Sequence, residues 1–241
     1  MDPDYPFYNG KPVQLTGAQW AFVMLTVVLG FASLVWPALA ALGGSGQFVG
    51  AVLFSAFPLL GLARVAHRHW TALFRRVGLR ELGWMVAFAL LNIVVSMAVG
   101  AVVMKTVGAS ANPAIVTLSG QTGPERLAFF AKTGLQLLGE ELVTILPFLA
   151  LLWWLTVRAG LSRHVAITCA WLVSAAWFGA LHLPTYQWNF VQSFVIIGSA
   201  RLVLSMAYMK TKNIWVSTGA HILNDWSLFG LSLLGAGLLG K

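Results

Sequence analysis

Apolar segments close to the length of a bilayer span occupy most of this 241-residue chain. They lie at about 18–42, 48–66, 83–104, 133–157, 165–183, 190–209 and 214–238. An α-helix needs about 20 apolar residues to cross a hydrocarbon core of roughly 30 Å. Only 9% of the residues are charged, against about a quarter in soluble domains, so most of the surface must face lipid. The sequence predicts an all-α, polytopic transmembrane helix bundle with about seven or eight spans, formed by residues 1–241 as a single integral membrane domain.

The net charge of +8 comes mainly from basic residues that lie between the apolar segments. They cluster in the connections at 67–82, 158–164 and 210–213. Because cytoplasmic loops carry an excess of Lys and Arg, we place these three connections and the N-terminus in the cytoplasm. The anionic surface of the lipid bilayer is the expected partner of these charges, and nucleic acid is not.

Two other connections contain residues that are typical of turns. The short stretch 43–46 reads Gly-Gly-Ser-Gly and is predicted to be an uncharged turn. The longer stretch 105–126 contains Ala-Asn-Pro and a Gly-Gln-Thr-Gly-Pro run, both of which are turn and breaker signals. We therefore expect a loop there.

A few ionisable side chains lie inside the predicted spans. At the bilayer centre each charge costs about 2.5–3.5 kcal/mol on insertion scales, so such residues mark a functional site by default. They are Glu140 and Glu141 in the fourth segment, His182 at the end of the fifth, and His221 and Asp225 in the seventh. The sixth segment adds Arg201, which we interpret as an ion-pair partner rather than a catalytic group.

Helical spacing groups these side chains. His221 and Asp225 are four residues apart and share one face of their helix, and Asn224 is the alternative partner on that face. Glu140 and Glu141 are about 100° apart around the helix axis. One glutamate is therefore expected to contact the reacting atom, while the other orients it or binds a neighbouring helix.

Carboxylates and imidazoles from three helices suit hydrolytic chemistry. They can hold a metal ion with one position left for water. They also suit a metal-free variant, in which a glutamate and one histidine activate water. The second histidine and Asp225 or Asn224 then stabilise the oxyanion. The residues alone leave both variants open.

Straight helices do not bring these residues to one depth. At about 1.5 Å per residue, Glu140 and His182 fall nearer the outer face. His221 falls about 10 Å from the inner end of its span on the same rise per residue. A shared site therefore requires tilted spans, a re-entrant segment at 183–189, or a topology that differs by one crossing.

The three segments resemble the signature motifs of a known family. Residues 140–145 read Glu-Glu-Leu-Val-Thr-Ile, residues 178–182 read Phe-Gly-Ala-Leu-His, and residues 221–225 read His-Ile-Leu-Asn-Asp. In order and spacing they are similar, over roughly residues 130–230, to the motifs of the CAAX-protease and bacteriocin-processing family of intramembrane endopeptidases, also called the Abi family. Two positions depart from the family pattern, since Ile145 stands where the family has Arg and Asp225 where it has Asn.

The resemblance implies roles for the site residues. It implies Glu140 as the water-activating carboxylate, Glu141 as its support, His182 and His221 as site histidines, and Asp225 at the final polar position. If a divalent metal such as Zn is bound, its expected ligands are His182, His221 and Glu140. Arg201 is our candidate to replace the arginine that position 145 lacks. The implied substrates are peptides or lipid-anchored proteins, and the implied location is the bacterial plasma membrane.

Three other functions stay open at this stage. The chain could be a non-catalytic bacteriocin immunity or membrane regulatory protein on the same fold, which the loss of Arg at position 145 favours. It could also be an ion-coupled transporter that uses Glu140 and Asp225 as relay carboxylates. A haem protein with His182 and His221 as axial ligands is the third alternative.

Overall fold

The computed structural model describes residues 4–239, with side chains up to residue 235, and every regular element in that range is helical. The helices are α1 Gly17–Leu34, α2 Pro37–Ala40, α3 Gly43–Ala66, α4 Leu79–Thr106, α5 Pro113–Ser119, α6 Gly123–Trp153, α7 Arg163–Leu181, α8 Gly198–Thr211 and α9 Ile214–Leu239. A 3-10 turn, His67–Leu73, follows α3. The π-helical turn Trp154–Arg158 follows α6, and the π-helical turn Gln192–Ile197 precedes α8.

The predicted fold class is confirmed. Within residues 4–239, six helical segments are long and apolar enough to cross a membrane. Helix α9, with 26 residues, is about 39 Å long and also exceeds the length of a span. The protein is therefore an integral membrane protein built as a polytopic helical bundle.

Both stretches that we predicted to be turns contain helix starts. Residues 43–46 begin α3, with Gly43 at φ +66°, a value that suits glycine. The predicted loop at 105–126 contains α5 and the first turn of α6. The prediction of a loop from these prolines was wrong because proline is favoured in the first turn of a helix, where Pro113 and Pro124 lie. Asn112 caps α5 by accepting the Ala114 N–H at 2.9 Å.

Helix α6 lies at the centre of the bundle. It packs against α1 and α3 on one side, against α7, and against α9, while α4 packs on α8 and α9. Its apolar side chains Leu142, Ile145 and Leu146 lie in the largest buried cluster. The outer face of α4 exposes Leu90, Val94 and other apolar side chains. Such a face suits lipid.

Two glycines beside the motif residues allow close helix contacts. A Cβ atom on Gly139 would lie 2.4 Å from Cδ1 of Phe54 in α3. A Cβ atom on Gly179 would lie 2.7 Å from the Ser193 carbonyl oxygen. Small residues are the usual means by which membrane helices approach one another. These contacts fix the positions of Glu140 and Phe178, which are the next and the preceding residues.

The helices are staggered, which removes the difference in depth that straight spans would impose. His221 is seven residues, or about 10 Å, from the start of α9. Glu141 is seventeen residues, or roughly 25 Å, from the end of the α6 extension at Arg158. The α8–α9 turn therefore ends closer to the site than the α6–α7 connection does. The segment before α4 covers this turn, because the Arg75 N–H donates to Asn213 Oδ1 at 3.1 Å.

Candidate active site

His221 of α9 contacts both glutamates of α6. Its Nδ1 lies 2.9 Å from Glu141 Oε1, and its Nε2 lies 3.8 Å from Glu140 Oε2. The same Nε2 is 3.8 Å from Asp225 Oδ1, one turn along α9. The fourth and seventh predicted spans therefore do converge on one cluster of ionisable groups.

Glu141 forms a buried ion pair with Arg201 of α8. Arg201 Nη1 and Nη2 donate to the two carboxylate oxygens at 2.7 and 3.0 Å. Both side chains are 0% exposed. The guanidinium also lies over the ring of Phe178, 5.1 Å from its centroid. The charge of Glu141 is thus paired within the bundle, as buried charges require.

The ion pair also explains the departure at position 145. Ile145 is fully packed in the apolar core. The guanidinium that neutralises the glutamate comes from Arg201 instead, on a different helix. The expected ion-pair role of Arg201 is confirmed, and its partner is Glu141.

The Glu141 contact sets the proton arrangement of His221. A carboxylate accepts hydrogen bonds, so Nδ1 of His221 carries the hydrogen and donates it to Glu141. When the ring is neutral, the lone pair is on Nε2, which lies 3.8 Å from both Glu140 Oε2 and Asp225 Oδ1. A carboxylate behind an imidazole fixes both its orientation and its basicity. The supporting role of Glu141 stays a prediction, and its contact with His221 is the geometry that such a role requires.

Glu140 faces a cavity of about 580 Å³. Its side chain is 13% exposed, and Oε1 accepts the Gln136 amide at 2.9 Å. The cavity wall includes three of the other four predicted site residues, which are His182, His221 and Asp225, while Glu141 does not line it. The 3.8 Å between Glu140 Oε2 and His221 Nε2 is longer than a direct hydrogen bond and suits a bridging water.

His182 lies at the C-terminal end of α7, on the wall of the same cavity. Its Nδ1 is 2.9 Å from the Phe178 carbonyl oxygen, which can only accept, so Nδ1 donates and Nε2 is left for the cavity. Its ring stacks on Tyr186 with 6.4 Å between centroids. The segment 183–189 is a series of turns in which Leu183 and Tyr186 are buried.

The end of the third motif forms a small polar pair. Asn224 Nδ2 donates to Asp225 Oδ1 at 2.8 Å. Asn224 Oδ1 is buried and has no hydrogen-bond partner in the protein. Both residues line the cavity. Asp225 therefore shares the histidine face of α9, and Asn224 supports it from the adjacent position.

The proposed metal ligands surround the cavity without forming a metal centre. Across the described part of the chain, no group of three or more His, Cys, Asp or Glu residues is placed to hold a metal ion. One nitrogen of His221 is already bound to Glu141, and the other is 3.8 Å from Glu140. Glu140, His182 and His221 therefore do not form a three-ligand group as the side chains lie here, and metal binding stays a prediction.

Two uncharged residues that line the cavity were not predicted from the sequence. Gln136 is four residues before Glu140, so the i, i+4 spacing could have identified it as a hydrogen-bond partner. Asn92 of α4 also lines the cavity. An amide in an otherwise apolar span was its signal, but only ionisable residues were selected there.

Residues 124–227 match a protein family described as Type II CAAX prenyl endopeptidase Rce1-like. The matched segment contains the three motifs on α6, α7 and α9 and the arginine on α8. This match supports the predicted assignment of residues 124–227 to the CAAX-protease family of intramembrane endopeptidases. At the level of the family, it supports an intramembrane protease. Comparisons with curated proteins and with solved structures gave no match.

Proposed function

We propose that the protein is an intramembrane endopeptidase that hydrolyses a peptide bond with a water activated by Glu140 and His221. The observation that carries this proposal is the geometry at His221. Its Nδ1 is bound to Glu141, and its Nε2 is directed at Glu140 across 3.8 Å. A carboxylate and an imidazole with a free lone pair are thus aimed at one position in the cavity.

In the proposed reaction, Glu140 and His221 hold the water beside the scissile carbonyl. Glu140 takes a proton as the water oxygen bonds to the carbonyl carbon. The tetrahedral intermediate collapses when the C–N bond breaks and the proton passes to the leaving amine. The products are one carboxylate and one amine, so a single water balances the reaction.

We assign to His182 the stabilisation of the oxyanion in this intermediate. Because its Nδ1 donates to the Phe178 carbonyl, its Nε2 is a donor only when the ring is an imidazolium. Asp225 lies on the same cavity wall. A donor aimed at the developing oxyanion typically contributes about 10²–10³-fold in rate.

The family description names prenylated CAAX substrates, so a fluorogenic peptide ending in a prenylated CAAX sequence is a suitable probe. The expected location is the bacterial plasma membrane, where lipid-anchored proteins and peptides would reach the cavity from the bilayer.

The test is Glu140→Gln, which keeps the shape of the side chain and removes the base. We expect cleavage of the probe to fall by about 10²–10⁴-fold, the usual contribution of a general base, with normal accumulation in the membrane. The matched control is Glu125→Gln in the first turn of the same helix. Glu125 caps α6 through Thr122, and glutamine serves equally in a capping box. Equal cleavage by Glu140→Gln and Glu125→Gln would refute the proposal.

We favour the metal-free form of this chemistry because the described residues lack a group of three ligands placed to hold a metal ion. The measurement is metal content of the purified protein beside the Glu140→Gln variant. We expect no stoichiometric metal in either protein, and full activity after treatment with a chelator. One zinc per chain in the wild type that is lost in the variant would replace this form with the metal-assisted one.

A further inference from the structure

Asn92 is a buried amide without a partner. It lies in α4, in an otherwise apolar stretch, and its side chain is 0% exposed. Neither its Nδ2 nor its Oδ1 has a hydrogen-bond partner in the protein. A buried polar group left unpaired costs about 1–3 kcal/mol on mutational scales. The residue therefore destabilises the fold unless something else binds it.

Its position indicates what binds it. Asn92 lies on the wall of the 580 Å³ cavity that also contains Glu140, His182 and His221. One turn earlier, Phe88 packs in an apolar cluster with residues of α8 and α9. One turn later, Ser96 lines the cavity again. Asn92 is thus placed where the inner face of α4 passes from helix contact to the cavity that holds the water-activating residues.

We propose that Asn92 binds the backbone of the substrate peptide beside the scissile bond. A carboxamide offers one carbonyl acceptor and N–H donors side by side. In an extended peptide, the N–H and C=O of one residue point to the same side and pair with just such a set. Asn92 can therefore hold one substrate residue through two hydrogen bonds. It would act regardless of side-chain sequence. This inference rests on the proposed proteolytic function.

The first test separates stability from activity. Asn92→Leu keeps the branched shape of the side chain and removes both unpaired polar groups, so we expect a thermal midpoint equal to or above that of the wild type. Its kcat/KM on the prenylated CAAX probe should fall by about 10- to 100-fold, the effect of two lost hydrogen bonds. The matched control is Thr218→Val, because Thr218 of α9 is equally buried and its hydroxyl is unpartnered. Thr218 does not line the cavity, so its variant should keep wild-type kcat/KM.

The second test identifies the contact. Peptide probes are made in which each amide near the scissile bond is replaced in turn by an ester, which removes one N–H donor. At one position we expect the ester to lower kcat/KM for the wild type by about five-fold or more, the range of a single hydrogen bond. The same ester should have no effect on Asn92→Leu, because the acceptor is already absent. Asn92→Ala provides a second variant if the leucine is not tolerated.

Three results would overturn the inference. Asn92→Leu could cleave the probe as fast as the wild type, which would leave Asn92 with cavity water alone as its partner. Its activity could fall only in step with its thermal midpoint, which would make the residue structural. The ester penalty could be equal in both proteins at every position. Failure of the proposed function would look different, since Glu140→Gln would then be as active as the wild type.

Discussion

The two sides of α6 around Glu140 and Glu141 differ sharply although the residues are adjacent in sequence. Glu141 points into the bundle, where Arg201 binds both of its oxygens and both side chains are fully buried. Glu140 points into the cavity, where a neutral amide from Gln136 binds one oxygen and the other faces His221. His221 lies between them, with one ring nitrogen on each side.

The two glutamates of one motif therefore differ in role: Glu141 is structural, and Glu140 is proposed to act in the reaction. The Glu141 side holds its charges in a fixed, fully paired arrangement, and so fixes the orientation of His221. The Glu140 side leaves a carboxylate oxygen available for a reacting water. A site of this kind needs preorganised groups that do not rearrange during the reaction. The buried ion pair supplies that rigidity, and the cavity supplies access.

If the Glu141 side of α6 is structural, its ion-pair partner Arg201 must stabilise the fold. We expect Arg201→Met to lower the free energy of unfolding by about 3–5 kcal/mol, because it leaves Glu141 as an uncompensated buried charge. Activity should be lost as well, since Glu141 would no longer hold His221 in place. The measurement is chemical or thermal denaturation of the purified protein in detergent micelles, beside cleavage of the prenylated probe.

Two variants serve as controls for this result. The double variant Glu141→Gln with Arg201→Met carries no unpaired charge and should recover part of the lost stability. Glu140→Gln, on the cavity side, should change the free energy of unfolding by less than about 1 kcal/mol, as for other partly solvated polar sites. Equal destabilisation by Arg201→Met and Glu140→Gln would contradict the division between the two sides.

The sequence was sufficient to predict the spans and the groups that meet. Charged residues in apolar helices are too costly to be incidental, so Glu140, Glu141 and His221 were identifiable without coordinates. The angular argument also held, because the two glutamates do face different neighbours. Arg201 could be assigned to an ion pair for the same reason.

Other features depend on tertiary contacts that no local pattern encodes. The choice of Glu141 rather than Glu140 as the partner of Arg201 follows from how α8 packs against α6. The cavity position of Asn92 follows from the packing of α4 on α8 and α9. Short helix α5 was missed because Pro113 reads as a breaker and is equally suited to a first helical turn.

Gly139 directly precedes Glu140 and Glu141, and its lack of a side chain allows α6 to approach α3 closely. In Gly139→Ala the new methyl group would lie 2.4 Å from Phe54 Cδ1, and Phe54 is itself buried. We expect a loss of about 1–3 kcal/mol in the free energy of unfolding, the usual effect of overpacking. Cleavage should also slow, since both glutamates move with the helix backbone. Gly134→Ala on the same helix is the control, because its nearest contact would be an ordinary 3.5 Å to Trp226. A similar loss in both variants would show that the Phe54 contact is not its cause, because helix propensity alone favours Ala over Gly by about 1 kcal/mol.

The smallest effect is expected for a carboxylate–arginine ion pair that is partly exposed at the surface. Asp4 Oδ1 and Arg163 Nη2 are 2.6 Å apart, but their side chains are 38% and 44% exposed. Burial raises the pKa of Asp4, yet hydrogen bonds from Arg163 and Tyr8 outweigh it and hold the pKa below its ordinary value of 3.8. A carboxyl with a lowered folded pKa stabilises the protein above its unfolded pKa, and this contribution is lost as the pH falls through the folded value.

Asp4→Asn should therefore cost about 1 kcal/mol or less at pH 6, as exposed pairs do. The thermal midpoints of variant and wild type should converge as the pH falls below the folded pKa of Asp4, where its carboxyl is protonated in both states. If Asp4→Asn destabilised the protein as much as Arg201→Met does, burial would not be what distinguishes the two pairs.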